Sequence, residues 1–231
     1  MSAQAGGPLS LSHRFEDGAR LGSLLWEFGP GWRMISSAML GGGVGRREWV
    51  LNAQVTSDYS RMDPVDHLLA MGPVGPGVGM LTAAMVERYT RAADGGVEAV
   101  ATVGLRVPTW AASPEGRPDP VLRGGAPGPF AARPGTINII VAVPVAFSDA
   151  ALVNAVMTVT EAKTQALAEA GFFCTGTASD AVCVAVRDDG PEELFGGPRS
   201  EWGARIARAV HRAVLDGAEG WRRYASSADG H

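Results

Sequence analysis

Thr175-Gly176-Thr177-Ala178-Ser179-Asp180 sets three hydroxyls and a carboxylate directly ahead of the apolar run Ala181 to Arg187. A hydroxyl attacks a carbonyl carbon when a neighbour carries its proton and donors receive the oxyanion. Asp180 is the sole carboxylate of this cluster, with Ser179 beside it. A carboxylate among hydroxyls has a tunable pKa, so Asp180 is the candidate proton carrier or orienting group. Gly135-Thr136 sets another hydroxyl at the start of an apolar run, with Asn138 two positions on. The same residue types also build ordinary turns and strand starts through local side-chain to backbone hydrogen bonds, and both readings stand here. Lys163, the chain's only lysine, lies two positions from Glu161 and so on another helix face. It either meets a ligand or belongs to a solvated helix face.

These residues need elements to position them. Ser23 to Phe28, Arg33 to Ala38 and Glu48 to Val55 have strand character, joined by Gly29-Pro30-Gly31 and by Leu40-Gly41-Gly42-Gly43-Val44-Gly45, an arrangement of hairpins. Asp63-Pro64 opens a short helix with Leu68, Leu69 and Met71 expected to face inward. Val97 to Leu105 reads as a strand and Ile137 to Val145 as a central one. Ser148 caps a helix that runs from Asp149 to Ala170 and stops at Gly171. At about 1.5 Å per residue it is about 33 Å long, enough to cross a domain. Ala181 to Arg187 is a further strand, and Glu201 to Leu215 a helix with Ile206, Val210 and Val214 on one face. The expected fold is α+β, with α/β as the alternative: a layered sheet with long helices packed on it, in a single domain over residues 1–231. Strands 137–145 and 181–187 should be neighbours with helix 149–170 packed across them. That would bring Thr136, Asn138, Thr175, Thr177, Ser179 and Asp180 to one sheet edge. The Pro-, Gly- and Arg-rich stretch 108–134 is either a linker or a lid.

The chain has 231 residues, 46% hydrophobic and 19% charged, which is a globular composition. A net charge of -4 without a basic run argues against a nucleic-acid partner. Residues 1–8 lack the basic start and apolar stretch of a signal peptide, and no window is long and apolar enough to span a membrane, so a cytoplasmic location is expected. Cys174 and Cys183 lack a CxxC spacing, and His13, His67, His211 and His231 show no ligand spacing, so neither a disulfide nor a zinc site is expected. A metal held by ligands from distant segments stays open, as does assembly into homo-oligomers. The Gly-rich stretches 41–45 and 72–79 match neither a P-loop nor a dinucleotide fingerprint.

Several stretches, taken in order, form one set of motifs. They are Ile35-Ser36-Ser37-Ala38 with its Gly-rich sequel, Leu51-Asn52-Ala53-Gln54-Val55, Val78 to Ala84, and Ala101-Thr102-Val103-Gly104-Leu105. They continue with Gly135 to Val141, Ala151 to Ala155, Thr160 to Leu167 and Thr175 to Val182. As a set they resemble the CbiZ family of adenosylcobinamide amidohydrolases, over about residues 23–216. Two positions depart from the family pattern: Gly41 stands where Asn is common, and Ser179 where Thr is common. The resemblance implies hydrolysis of the amide that joins aminopropanol to the corrin ring of adenosylcobinamide, giving adenosylcobyric acid in corrinoid salvage. The corrinoid is then substrate, and no cofactor is implied. Ser37, Gly42, Gly43, Asn52, Thr82, Lys163, Thr175 and Thr177 become candidates for contacting it. The Gly-rich loops would let backbone approach a flat, amide-fringed ring. Residues 135–187 also resemble DmpA-type aminopeptidases and ornithine acetyltransferases, in which a Ser or Thr after Gly becomes an N-terminal nucleophile by self-cleavage. That likeness makes Thr136 a candidate nucleophile, with Asn138 as a candidate donor: Thr136 or a water would attack, and Asn138 or backbone N–H groups would receive the oxyanion. A hydrolase of another amide and a corrinoid carrier without catalysis are the competing readings.

Overall fold

The computed structural model describes residues 6–115 and 135–228. The chain opens with β1 (Leu9–Glu16), β2 (Ala19–Glu27), β3 (Trp32–Ser36), β4 (Gly43–Arg46) and β5 (Trp49–Gln54), followed by α1 (Pro64–Met71) and β6 (Gly77–Thr82). It continues through β7 (Thr90–Asp94), β8 (Val97–Val103), β9 (Ile137–Phe147), α2 (Asp149–Glu169), β10 (Ala181–Arg187), β11 (Glu192–Glu193) and α3 (Glu201–Ala228). Two tight hairpins have the chemistry their turns need. Asp17-Gly18 joins β1 to β2 and Gly95-Gly96 joins β7 to β8, all four residues at positive φ, where the turn twist matches that of the strands.

The strands form two sheets. One has the order β1-β2-β5-β6; the other runs β4-β3-β10-β9-β8-β7, with β11 beside the end of β9. The sheets pack face to face through Leu24, Trp26, Met34, Val50, Met80, Ile140 and Cys183. Helices α2 and α3 cover the outer face of the second sheet, burying Leu152, Val159, Leu167, Ile206 and Val210 against Ile137, Ile139 and Val184. On the outer face of the first sheet, Leu68 of α1 packs against Trp49 and Leu51. The result is an α+β sandwich of helix, sheet, sheet and helices. Strand β9 is apolar almost throughout because it is covered on both faces.

Strands β9 and β10 are neighbours, parallel and in register, with α2 in the layer above them, as expected from the sequence. Ser148 Oγ accepts the Ala151 N–H at 3.2 Å and caps α2. At the other end Gly171 sits at φ +81°, and the N–H groups of Gly171 and Phe172 bond back to Ala168 and Leu167, which turns the chain sharply toward β10.

Other expectations are corrected. Gly29-Pro30-Gly31 does not close a hairpin; it carries the chain from one sheet to the other, because β2 pairs with β1 and β5 while β3 pairs with β4 and β10. The Gly-rich stretch after β3 itself supplies β4. Leu69 is 52% exposed, since an eight-residue helix buries one narrow ridge, and that ridge holds His67 and Leu68. Helix α3 continues past Leu215 to Ala228. Residues 116–134 of the stretch read as linker or lid lie outside the described residues.

Candidate active site

The parallel register of β9 and β10 sets Asn138 opposite Ala181, so both strands begin at one edge of the second sheet. That register brings Thr136 to Ser179, Oγ1 to Oγ 2.9 Å, and Ser179 Oγ also donates to the Gly135 carbonyl at 3.3 Å. Thr136 is buried and Ser179 is exposed, so the hydroxyl pair leads from the interior to the surface.

Asp180, next to this pair, is fully engaged. Its carboxylate accepts the Ile137 N–H at 3.0 Å, the Thr177 N–H at 3.1 and 3.2 Å, the Thr177 hydroxyl, and the Lys163 ammonium at 2.6 Å. Lys163 and Asp180 are both nearly enclosed, with side-chain exposures of 9% and 12%. The solvated-face reading of Lys163 is therefore overturned: it reaches down from α2 as the counter-ion of Asp180. The proton-carrier role expected of Asp180 is at odds with this arrangement, because its lone pairs are taken by these donors. What the carboxylate does is tie α2, the 175–180 turn and the start of β9 together. Gly176 makes room for the pair. At φ +151° a side chain there is strained, and a Cβ would stand 2.1 Å from Asp180 Oδ2 and 2.6 Å from Lys163 Nζ.

The other face of β9 carries a second polar cluster between the sheets. Asn138 Nδ2 donates to Asn52 Oδ1 at 2.8 Å and to the Leu81 carbonyl at 3.0 Å, and Asn52 Nδ2 donates to Thr102 Oγ1 at 2.9 Å. Both amide hydrogens of Asn138 are thus committed, which argues against the donor role expected for an oxyanion; its unbonded atom is the acceptor Oδ1. The reverse amide orientation would set that oxygen against two other acceptors.

The remaining candidates divide. Ser37 accepts the Val182 N–H at 3.0 Å and lies exposed close to the turn, with Gly42 and Gly43 exposed on the same hairpin. Thr82 is buried and its hydroxyl holds the local turn through the Ala84 N–H. Thr175 is bound to residues 109 and 111: its hydroxyl donates to the Thr109 carbonyl and accepts the Ala111 N–H. That clamps the first part of the 108–134 stretch onto the turn. Neither cysteine is poised for nucleophilic work; both are buried, burial raises the pKa of Cys174, and the Cys183 thiol is pushed up to about 12. Among the described residues no three His, Cys, Asp or Glu side chains converge as metal ligands, and no helix is long and apolar enough to cross a membrane.

The sequence profile of the adenosylcobinamide amidohydrolase family matches residues 8–226. The chain belongs to that family. It is 30% identical to the adenosylcobinamide amidohydrolase of Methanosarcina mazei over 196 residues, covering 79% of this chain and 88% of the relative. It is 35% identical to the Halobacterium salinarum protein of the same name over 193 residues, covering 80% and 79%. At Gly41, where the resemblance implies that Asn is common in the adenosylcobinamide amidohydrolase family, the backbone itself calls for glycine. The residue is at φ +69°, and a Cβ there would stand 2.0 Å from the Gly77 carbonyl oxygen, so this backbone excludes the Asn side chain. The Ser179 departure keeps the hydroxyl that meets Thr136. Sequence reasoning missed three residues: Gly176 beside the ion pair, Thr102 in the inter-sheet cluster, and Gly104, whose N–H bonds the Thr136 carbonyl at 2.9 Å. A polar Thr102 between Ala101 and Val103, in the mostly apolar second half of its strand, was the available signal.

Proposed function

We propose that this protein hydrolyses the amide linking aminopropanol to the corrin ring of adenosylcobinamide, releasing adenosylcobyric acid for corrinoid salvage. The observation that carries the reading is the family match over nearly the whole chain. The reaction consumes one water: the carbonyl carbon gains oxygen, the C–N bond breaks, and the leaving amine takes a proton. Within the site, the Thr136 hydroxyl or a water held by it attacks the carbonyl carbon. The exposed Ser179 hydroxyl, 2.9 Å from Thr136, meets the substrate first and turns its one hydrogen from the Gly135 carbonyl to the developing oxyanion. The Lys163–Asp180 pair supports this chemistry indirectly by fixing the turn and the start of β9. Ser37, Gly42 and Gly43 line the exposed approach and are read as substrate contacts. The catalytic unit is taken as one domain with its core over residues 23–216, acting in the cytoplasm on a small-molecule corrinoid, without a cofactor.

The test is incubation of the purified protein with adenosylcobinamide in the absence of ATP, with chromatographic detection of adenosylcobyric acid and aminopropanol. Both products should appear in equal amounts. Corrinoid binding without product, or an absolute need for ATP, would refute the hydrolase reading.

A further inference from the structure

A cavity of about 350 Å³ opens between the C-terminal half of α3 and the strands β7 and β8 of the second sheet. This volume is in the range of small-ligand sites. Val103 lies at its base, and Met85, Arg88, Asp216, Trp221 and Tyr224 stand around it. It adjoins the candidate active site through the backbone. Val103 pairs with Ile137, the residue after Thr136, and the Gly104 N–H bonds the Thr136 carbonyl. Neighbouring strands lie about 4.8 Å apart, so a ligand seated here is one strand away from Thr136.

The walls have a particular chemistry. The Arg88 guanidinium lies over the Tyr224 ring, 3.8 Å from its centroid, and the Trp221 ring is 6.1 Å from that of Tyr224. Helix α3 carries glycine at 217 and 220 here, an unfavourable choice inside a helix that bares its backbone to the cavity. At Gly217 a Cβ would stand 2.6 Å from Val103. Asp216 is exposed at the rim and has no hydrogen-bond or ion-pair partner among the described residues. Aromatic and guanidinium planes stack on nucleobases, and a carboxylate accepts ribose hydroxyls.

We propose that this cavity binds the adenosyl group of the corrinoid substrate, with adenine stacked among Trp221, Arg88 and Tyr224 and the ribose hydroxyls on Asp216. The assignment rests on the amidohydrolase reading, since it takes its ligand from that substrate. It makes the cavity the part of the protein that tells an adenosylated corrinoid from one with another upper ligand, while the corrin rim reaches Thr136.

The test compares adenosylcobinamide with a cobinamide carrying methyl in place of adenosyl, on the full chain and on Asp216→Ala and Arg88→Ala. Dissociation constants come from equilibrium dialysis and steady-state constants from product release. Asp216→Ala should raise Kd and KM for adenosylcobinamide by at least about tenfold, with kcat within about twofold, because a hydrogen bond to a charged group is lost. Its Kd for the methyl compound should not change. Free 5′-deoxyadenosine should compete with adenosylcobinamide on the wild type and lose that ability in the variant. Equal weakening of both corrinoids, or of neither, would overturn the assignment. If the wild type binds but hydrolyses neither, the amidohydrolase reading fails, while the Kd comparison still decides the cavity.

Discussion

At the scale of single residues, the ion pair between Lys163 and Asp180 governs more than the hydroxyls around it. An almost enclosed ammonium with its partner removed is an uncompensated charge, and breaking such a pair costs about 3–5 kcal/mol. Asp180→Asn and Lys163→Met should therefore each lower stability by about 3 kcal/mol or more in urea denaturation. The double variant should be more stable than either single one, because no lone charge remains. Purely additive losses would show that the two side chains do not act as a pair. Gly176→Ala is expected to lose both stability and turnover, since its Cβ would collide with Asp180. The cluster Thr177, Ser179 and Asp180 was legible in the sequence as hydroxyls around one carboxylate. The identity of its counter-ion was not: Lys163 sits 17 positions away on another layer, and only the packing of α2 on the sheet joins them.

At the scale of elements, α2 and α3 hold their positions by identifiable contacts. Removing the cap of α2 with Ser148→Ala should cost about 1 kcal/mol, read as a lower urea midpoint with an unchanged slope. Helix α3 is tied to β7 by Arg208, which donates to both oxygens of Asp94 at 2.8 and 2.7 Å and holds its carboxyl below the usual range. A depressed carboxylate stabilises the fold above its unfolded pKa, near pH 4, and that share is lost as pH falls through the lower folded value. The pair is partly exposed, so the effect is about 1 kcal/mol at most. The gap in melting temperature between wild type and Asp94→Asn should be full at pH 7 and close progressively below about pH 4. A gap that widens on acidification would contradict this. Strands β9 and β10 and helix α2 were readable because burial on both faces or one stripe leaves a strong apolar pattern. Strands β1, β4 and β7 are short or mostly exposed edge strands rich in Ser, Gly and Arg, and they leave none.

At the scale of the whole molecule, two sheets stacked between helical layers bring segments far apart in sequence to one end of the sandwich. Asn52, Thr102 and Asn138 come from three strands on two sheets and meet in one hydrogen-bonded chain. Each looks like a lone polar residue in an apolar run, so their convergence could not be read from spacing. The α+β class and the edge shared by Thr136 and Asp180 were legible; the division into two sheets was not, because a Gly-Pro-Gly turn fits a hairpin and a sheet crossing equally well. In the proposed mechanism the amide is cut where Thr136 meets Ser179. Its most direct test is the turnover of adenosylcobinamide by Thr136→Val, an exchange close in volume that removes the hydroxyl. The variant should lose about 10³-fold or more in kcat, as acyl-transfer sites do when a key group is removed, while its Kd for the corrinoid stays within about threefold. Near-normal turnover by a folded Thr136→Val protein would contradict the account.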